Sequence, residues 1–266
     1  MSDPPPPNPV LTAYEGFVQS TPLVTRYILS IQFVSYLFSW VVNPHLALAN
    51  IPQFVLQFEV YRLVLSPLVN TSIISLIFAF LSFVDHGKRL EHSLGSAAFA
   101  WLCLTIGGTV NVAFFLLCLI AYAVSGQDKV FLFYSAAGIW LILFGIIAIE
   151  CTQAPRTSKR RLFFFEVPVL FYPLALYLFF AFLSGGPSIP YLLSIGVGYT
   201  YGYGYLDRTK LTTSKAKQWE EGVLANFTRR QGWVVGHAAT GMEAWNDASN
   251  GAGMVRSLLL LLMLSI

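Results

Sequence analysis

The chain has 266 residues, of which 56% are hydrophobic and 11% charged, with a mean hydropathy of +0.63 and a net charge of +3. A soluble domain carries about 25% charged residues, so this composition excludes an ordinary water-facing surface and points to lipid. No basic, aromatic-interleaved patch suggests nucleic acid, and Cys103, Cys118 and Cys151, with no C-x-x-C pair or Cys/His cluster among them, read as packing residues and imply neither disulfides nor a metal.

Residues 1–20, opening MSDPPPPNPV, read as a flexible Pro-rich leader without the basic and apolar regions of a cleaved signal peptide. A first apolar span follows at Pro22–Val42, with Arg26 able to snorkel to headgroups. Asn43–Ser66 is apolar but broken by Pro44, Pro52, Glu59 and Arg62, which fits an interfacial or re-entrant loop. Further spans are expected at Pro67–Val84, Ala97–Val124, Val130–Ile149, Val167–Leu183 and Ile189–Tyr205. The last is short, and glycines 196, 198, 202 and 204 suit close backbone approach, so the expectation is a sixth helix packed on all sides. Lys and Arg fall mainly after the second, fourth and sixth spans (Lys88 and Arg89; Arg156, Lys159, Arg160 and Arg161; Arg208, Lys210, Lys215 and Lys217), which puts both termini in the cytosol. The tail, 207–266, is at most partly ordered: Lys217–Val235 could form an amphipathic surface helix, and the terminal SLLLLLMLSI is too short to cross a bilayer. The fold class is therefore all-α: a leader, 1–20, a six-helix polytopic membrane domain, 21–206, and a cytosolic tail.

Three features in order resemble the rhomboid-like superfamily of intramembrane proteins. Phe58-Glu-Val-Tyr-Arg62 is similar to its aromatic–Arg element, with Tyr61 where Trp is usual. Arg89-Leu-Glu-His-Ser-Leu-Gly-Ser96, containing Glu91 and Gly95, resembles the L-E-x-x-x-G-S segment that begins the third span. Gly198 and Gly202 resemble the glycine pair that packs the sixth helix against the fourth. A protease of that superfamily needs a serine before a glycine on the fourth span and a histidine on the sixth, since an acyl-transfer dyad requires a hydroxyl nucleophile and an imidazole base. Aligned on Gly138, the nucleophile position holds Ala137; counted back from Gly198, the base position holds Ile195; the oxyanion-stabilising positions on the second span hold Ser75 and Ala79. Ser135 lies two residues, about 200° of helix, from the required position. No His occurs in any span, since His45, His86, His92 and His237 lie in loops or the tail, so no dyad within the membrane is expected.

The resemblance implies a catalytically inactive member, a rhomboid pseudoprotease, nearest to the derlin and ubiquitin-associated-domain-containing branch. Its expected role is to recognise or scaffold membrane clients in the endoplasmic reticulum, with the Golgi as the other location, and to pass them to a ubiquitin ligase and an ATP-driven extraction machine for degradation. Tyr61, Arg62, Glu91, Gly95, Gly138, Gly198 and Gly202 would be structural or client-binding determinants, and no cofactor or metal is called for. The tail departs from that branch: it shows neither an extractor-binding Phe-x-Gly-x-x-Leu element nor a recognisable ubiquitin-associated fold. An active intramembrane serine protease in another register and a small-solute transporter or channel are the alternatives; spans nearly free of ionisable residues argue against the latter. Among the remaining polar residues, Glu150 and Glu166 read as a solvated charge cluster with the basic loop, a lipid-phosphate site being the minority reading, and Ser135 and Tyr134 as residues that pack or bond within the bundle. Asn111 reads as an interhelical hydrogen-bonding group, and Asn70 as a sequon too close to the membrane for modification.

Overall fold

The computed structural model describes residues 9–126, 129–155, 157–162, 165–183 and 186–236. Helix α1 (Pro9–Ser20) leads into α2 (Leu23–Phe38). The first loop folds into three short helices, α3 (Pro44–Leu48), α4 (Pro52–Val55) and α5 (Arg62–Leu65). Two long helices follow, α6 (Ile73–Leu94) and α7 (Ser96–Val124), then α8 (Trp140–Gln153). A two-stranded antiparallel hairpin, β1 (Lys159–Leu162) and β2 (Phe165–Pro168), precedes α9 (Tyr172–Leu183) and α10 (Ile189–Gly202). The tail contributes α11 (Thr213–Glu221) and α12 (Ala225–Thr228).

Helix α8 is the centre of the molecule. Every side chain from Trp140 to Cys151 is buried, and α6, α7, α9 and α10 pack around it. A helix apolar on all sides belongs in the interior, and WLILFGIIAI has no polar face to offer elsewhere. The expectation that the glycine-rich sixth helix is enclosed is corrected here: α10 presents one small-residue face to α8 and leaves Ile189 and Leu192 exposed.

Among the described residues α7, with 29 residues, is long and apolar enough by itself to cross a membrane. The segment Arg62–Leu68 and α6 pass the same test as a pair bent by 88°. Leu23–Phe38, Trp140–Gln153 and Val169–Phe182 are apolar but shorter. At 1.5 Å per residue the 14 residues of α8 extend about 21 Å, against a hydrocarbon core of about 30 Å. Among the described residues, helix length and composition thus account for one or two crossings, fewer than the six expected.

Several expected boundaries move, each for a local reason. The fourth span begins at Trp140 and not at Val130, because Asn50 and Ala136 pair as an antiparallel bridge that holds the preceding stretch extended against the first loop. The second begins at Ile73, after a tight turn at Pro67 and a cap in which the Ser72 hydroxyl accepts from the Ser75 amide. It runs on to Leu94, so Lys88 and Arg89 lie on the helix. The fifth is preceded by the hairpin, a β element that the all-α expectation lacks. Pro9–Ser20 is helical where a leader without helix is expected, and Gly222 breaks the expected tail helix into α11 and α12.

Candidate functional site

The four positions that the resemblance aligns with a catalytic set lie on the helices around α8 or in the turn before it. Ala79 and Ile195 are buried, Ala137 sits in the extended turn before α8, and Ser75 is in the first turn of α6. None of the three hydrocarbon side chains can carry a proton, and Ser75 is engaged, since the indole of Trp140 donates to its hydroxyl at 3.2 Å. Around this contact the helices interlock through aromatic rings. Phe180 of α9 lies 4.5 Å from Trp140 and 5.8 Å from Phe78 of α6, and Phe144 lies 5.5 Å from Tyr191 of α10. Gly138 takes φ +99°, where a side chain would be strained, and its amide donates to Ser66 at 2.9 Å.

The first loop is organised by Arg62, whose side chain is almost wholly buried. The guanidinium donates to Glu59 at 2.6 Å and to the carbonyls of Leu46 and Ala49 at 2.8 and 3.0 Å, and stacks 4.6 Å from the centre of the Phe54 ring. One planar fork therefore closes three short helices into a unit. Tyr61 adds a hydroxyl donated to Glu59 at 3.0 Å. The unit is fastened to α7 by amides: Asn50 donates to the side chain and carbonyl of Asn111, both at 3.0 Å, and Asn111 donates to Leu63 at 2.9 Å. Asn111 thus holds the loop and does not bond to another long helix. Asn50 carried no signal in the sequence, because its role depends on a loop fold that periodicity does not encode. Asn70 is buried, and its amide nitrogen is enclosed.

At the opposite, basic end, Glu91 is fully buried in the last turn of α6. Its carboxylate accepts from the amides of Val24 and Thr25 at 2.9 and 2.8 Å, from the Thr25 hydroxyl at 2.8 Å and from the Ser96 hydroxyl at 2.5 Å. Pro22 precedes α2 and cannot cap it; Glu91 supplies the missing acceptor and a negative charge at the positive end of that helix. Gly95 turns the chain at φ +88°, and a Cβ there would meet the backbone of Gly236 at 2.4 Å. The tail segment lies across this joint: Ser96 donates to Val234 at 2.8 Å and Leu23 to Gly232 at 2.8 Å. The tail also docks α11, where Trp219 meets Trp101 edge-to-face at 5.4 Å.

Gly198 and Gly202 line the α8 side of α10. A Cβ on Gly198 would sit 2.4 Å from the carbonyl oxygen of Gly145, and one on Gly202 would meet the Thr152 side chain at 2.1 Å. Ser194 adds a buried hydrogen bond to the Leu141 carbonyl at 2.6 Å.

Two arrangements differ from expectation. Ser135 is exposed and not bonded within the bundle, and its Oγ lies 3.3 Å from Nε2 of His45. The Asn50–Ala136 bridge brings these two loop residues together across 90 positions of chain, a proximity that spacing cannot reveal. Burial lowers the pKa of His45, but among the described residues no side chain bonds to its Nδ1. Glu150 is not solvated: its side chain is 3% exposed and faces His86 at 2.9 Å and Arg89 and Arg160 at 3.3 Å each. No group of three or more His, Cys, Asp or Glu that could hold a metal occurs among the described residues.

Comparison with known proteins agrees with this architecture. Residues 26–227 match the model of DUF1751, described as a eukaryotic integral membrane protein family. The chain is also similar to the rhomboid-like protein 15 of Arabidopsis thaliana, at 27% identity over 186 residues. That match covers 67% of this chain and 45% of the relative, so the chain spans less than half the relative's length. Both findings support the rhomboid-like superfamily, and the first spans most of the chain: the chain belongs to the DUF1751 family of eukaryotic integral membrane proteins.

Proposed function

We propose that this protein is a non-catalytic rhomboid-like membrane protein that crosses the bilayer six times with both termini in the cytosol, and that it recognises or scaffolds membrane clients. Protein quality control in the endoplasmic reticulum, with handover to a ubiquitin ligase and an extraction machine, is the setting that the superfamily resemblance suggests. The observation that carries the inert reading is the filled interior. Trp140, Phe144, Phe180 and Tyr191 interlock where α6, α8, α9 and α10 meet, and Trp140 occupies the hydroxyl of Ser75. Hydrolysis needs a water, a base and an oxyanion site at that depth, and Ala79, Ala137 and Ile195 provide none. Short helices support a scaffold role as well, because a bilayer thins around them and polar client segments then cross less hydrocarbon.

The Ser135–His45 contact favours a second, hydrolytic reading outside the hydrocarbon: an imidazole faces a hydroxyl at 3.3 Å. One experiment separates the two. Purified protein in nanodiscs is treated with a fluorophosphonate and, separately, with a reporter transmembrane segment. The scaffold reading expects no label on Ser135 and no cleavage, together with photo-crosslinks to membrane proteins from the first loop in native membranes. Labelling that disappears in His45→Ala would replace it with the hydrolytic reading.

A further inference from the structure

Glu150 leaves its surroundings with more positive charge than it neutralises. Two guanidinium groups, Arg89 from α6 and Arg160 from β1, converge on this one carboxylate at 3.3 Å each. Each is about a quarter exposed, at 29% and 26%, while Glu150 is enclosed at 3%. Both are held in place: Arg89 contacts the His86 Nδ1 at 2.9 Å, and Arg160 lies over the Tyr172 ring at 5.6 Å. A guanidinium carries five N–H donors in a fixed fork, and one shared carboxylate occupies only some of them. The hairpin enlarges the field. Lys159 and Arg161 stand on its other face, 63% and 65% exposed, with only the exposed Glu166 against them. Four cations thus meet two carboxylates, a surplus of two positive charges on one side of the molecule.

We propose that this cluster binds the phosphate of an anionic phospholipid in the leaflet at the basic end. A lipid and not a soluble phosphate is indicated by what adjoins it. From the Tyr172 end of α9, Phe171, Leu174, Leu178 and Phe182 are exposed at three- and four-residue spacing, one apolar stripe leading away from the arginines. Phe165 is exposed beside the hairpin turn. The stripe gives acyl chains a path, and the two forks suit bidentate contact with phosphate oxygens.

The test is native mass spectrometry of the full chain in micelles, titrated with dioleoyl phosphatidylinositol 4-phosphate, with phosphatidylcholine of the same chains, and with soluble inositol 1,4-bisphosphate as competitor. The expected result is binding of the anionic lipid at least about tenfold tighter than the zwitterionic one, the scale of one charge-assisted bond. Arg89→Gln with Arg160→Gln should abolish that preference, and Lys159→Gln with Arg161→Gln should weaken it several-fold and leave phosphatidylcholine binding unchanged. The second pair touches no buried group, so it decides the matter if the first fails to fold. Equal affinity for both lipids, or wild-type preference in the variants, overturns the proposal. Displacement by the soluble phosphate at equal concentration overturns the lipid source.

Discussion

Arg62 and Glu91 show how single buried charges organise opposite ends of this protein. Arg62 joins residues 46, 49 and 59; replacing it with Gln removes the charge and leaves two carbonyls without a donor, at a cost of roughly 2–3 kcal/mol. The Arg62→Gln protein should therefore melt several degrees lower in nanodiscs by tryptophan fluorescence. The same contacts set a pH dependence. Hydrogen bonds from Arg62 and then from Tyr61 hold the Glu59 carboxyl below its ordinary 4.5. A folded-state pKa below the unfolded one gives stability that is complete above about 4.5 and is lost as pH falls below it. Melting temperatures measured from pH 7 downward should fall in the acid range for wild type and fall less for Arg62→Gln. At the other end four donors converge on Glu91. Glu91→Gln would turn an amide group toward some of them, so it should destabilise nearly as much as Glu91→Ala, roughly 3 kcal/mol by thermal unfolding. Equal stability of Glu91→Gln and wild type would show that the carboxylate is not the cap.

Between elements, α10 packs tightly on α8 through its glycines. Gly198 faces the carbonyl of Gly145, whereas Gly196, two residues away, faces open space. The paired substitutions make a sharp contrast: Gly198→Ala must push the helices apart and should cost about 1–3 kcal/mol, while Gly196→Ala should be neutral or slightly stabilising, since Ala is the better helix former. Differential scanning fluorimetry of both distinguishes them, and equal effects would remove the close-packing account. The Gly198–Gly202 spacing was readable in the sequence because it repeats on one helix face. The partner glycine was not, because Gly145 sits in an apolar run with no period of its own. In the same way the L-E-x-x-x-G-S element marked Glu91 and Gly95, but not the helix start that Glu91 caps, which lies 66 and 67 residues away along the chain.

For the whole molecule, topology is the property with the widest consequences. Phe58 is 90% exposed and is the one non-glycine residue with positive φ among the described residues, at 69°. Asn tolerates that conformation, so Phe58→Asn with Val60→Thr creates a glycosylation sequon without strain. It should add an endoglycosidase-sensitive glycan when the protein is expressed in a eukaryotic cell, while the natural sequon at exposed Asn226 stays bare; glycan on Asn226 instead would invert the proposed orientation. The separation of charge that sets this expectation is visible in the sequence because insertion responds to loop composition, not to packing. The helices themselves were legible to within several residues at α2, α7, α9 and α10, where apolar runs and helices coincide. They were displaced at α6, where the turn at Pro67 and the Ser72 cap set the start, and at α8, where the Asn50–Ala136 bridge does.

Composition and the order of apolar runs determined by themselves that this chain belongs in lipid and that it is mostly helical, because these properties reside in residue identity and local hydropathy. Only the tertiary structure decided which helix stands at the centre, that Glu150 is enclosed by three basic groups, that Ser135 meets His45, and that the tail closes over the α6–α7 joint. Each of these depends on contacts between segments separated along the chain, and such contacts leave no periodic trace in it.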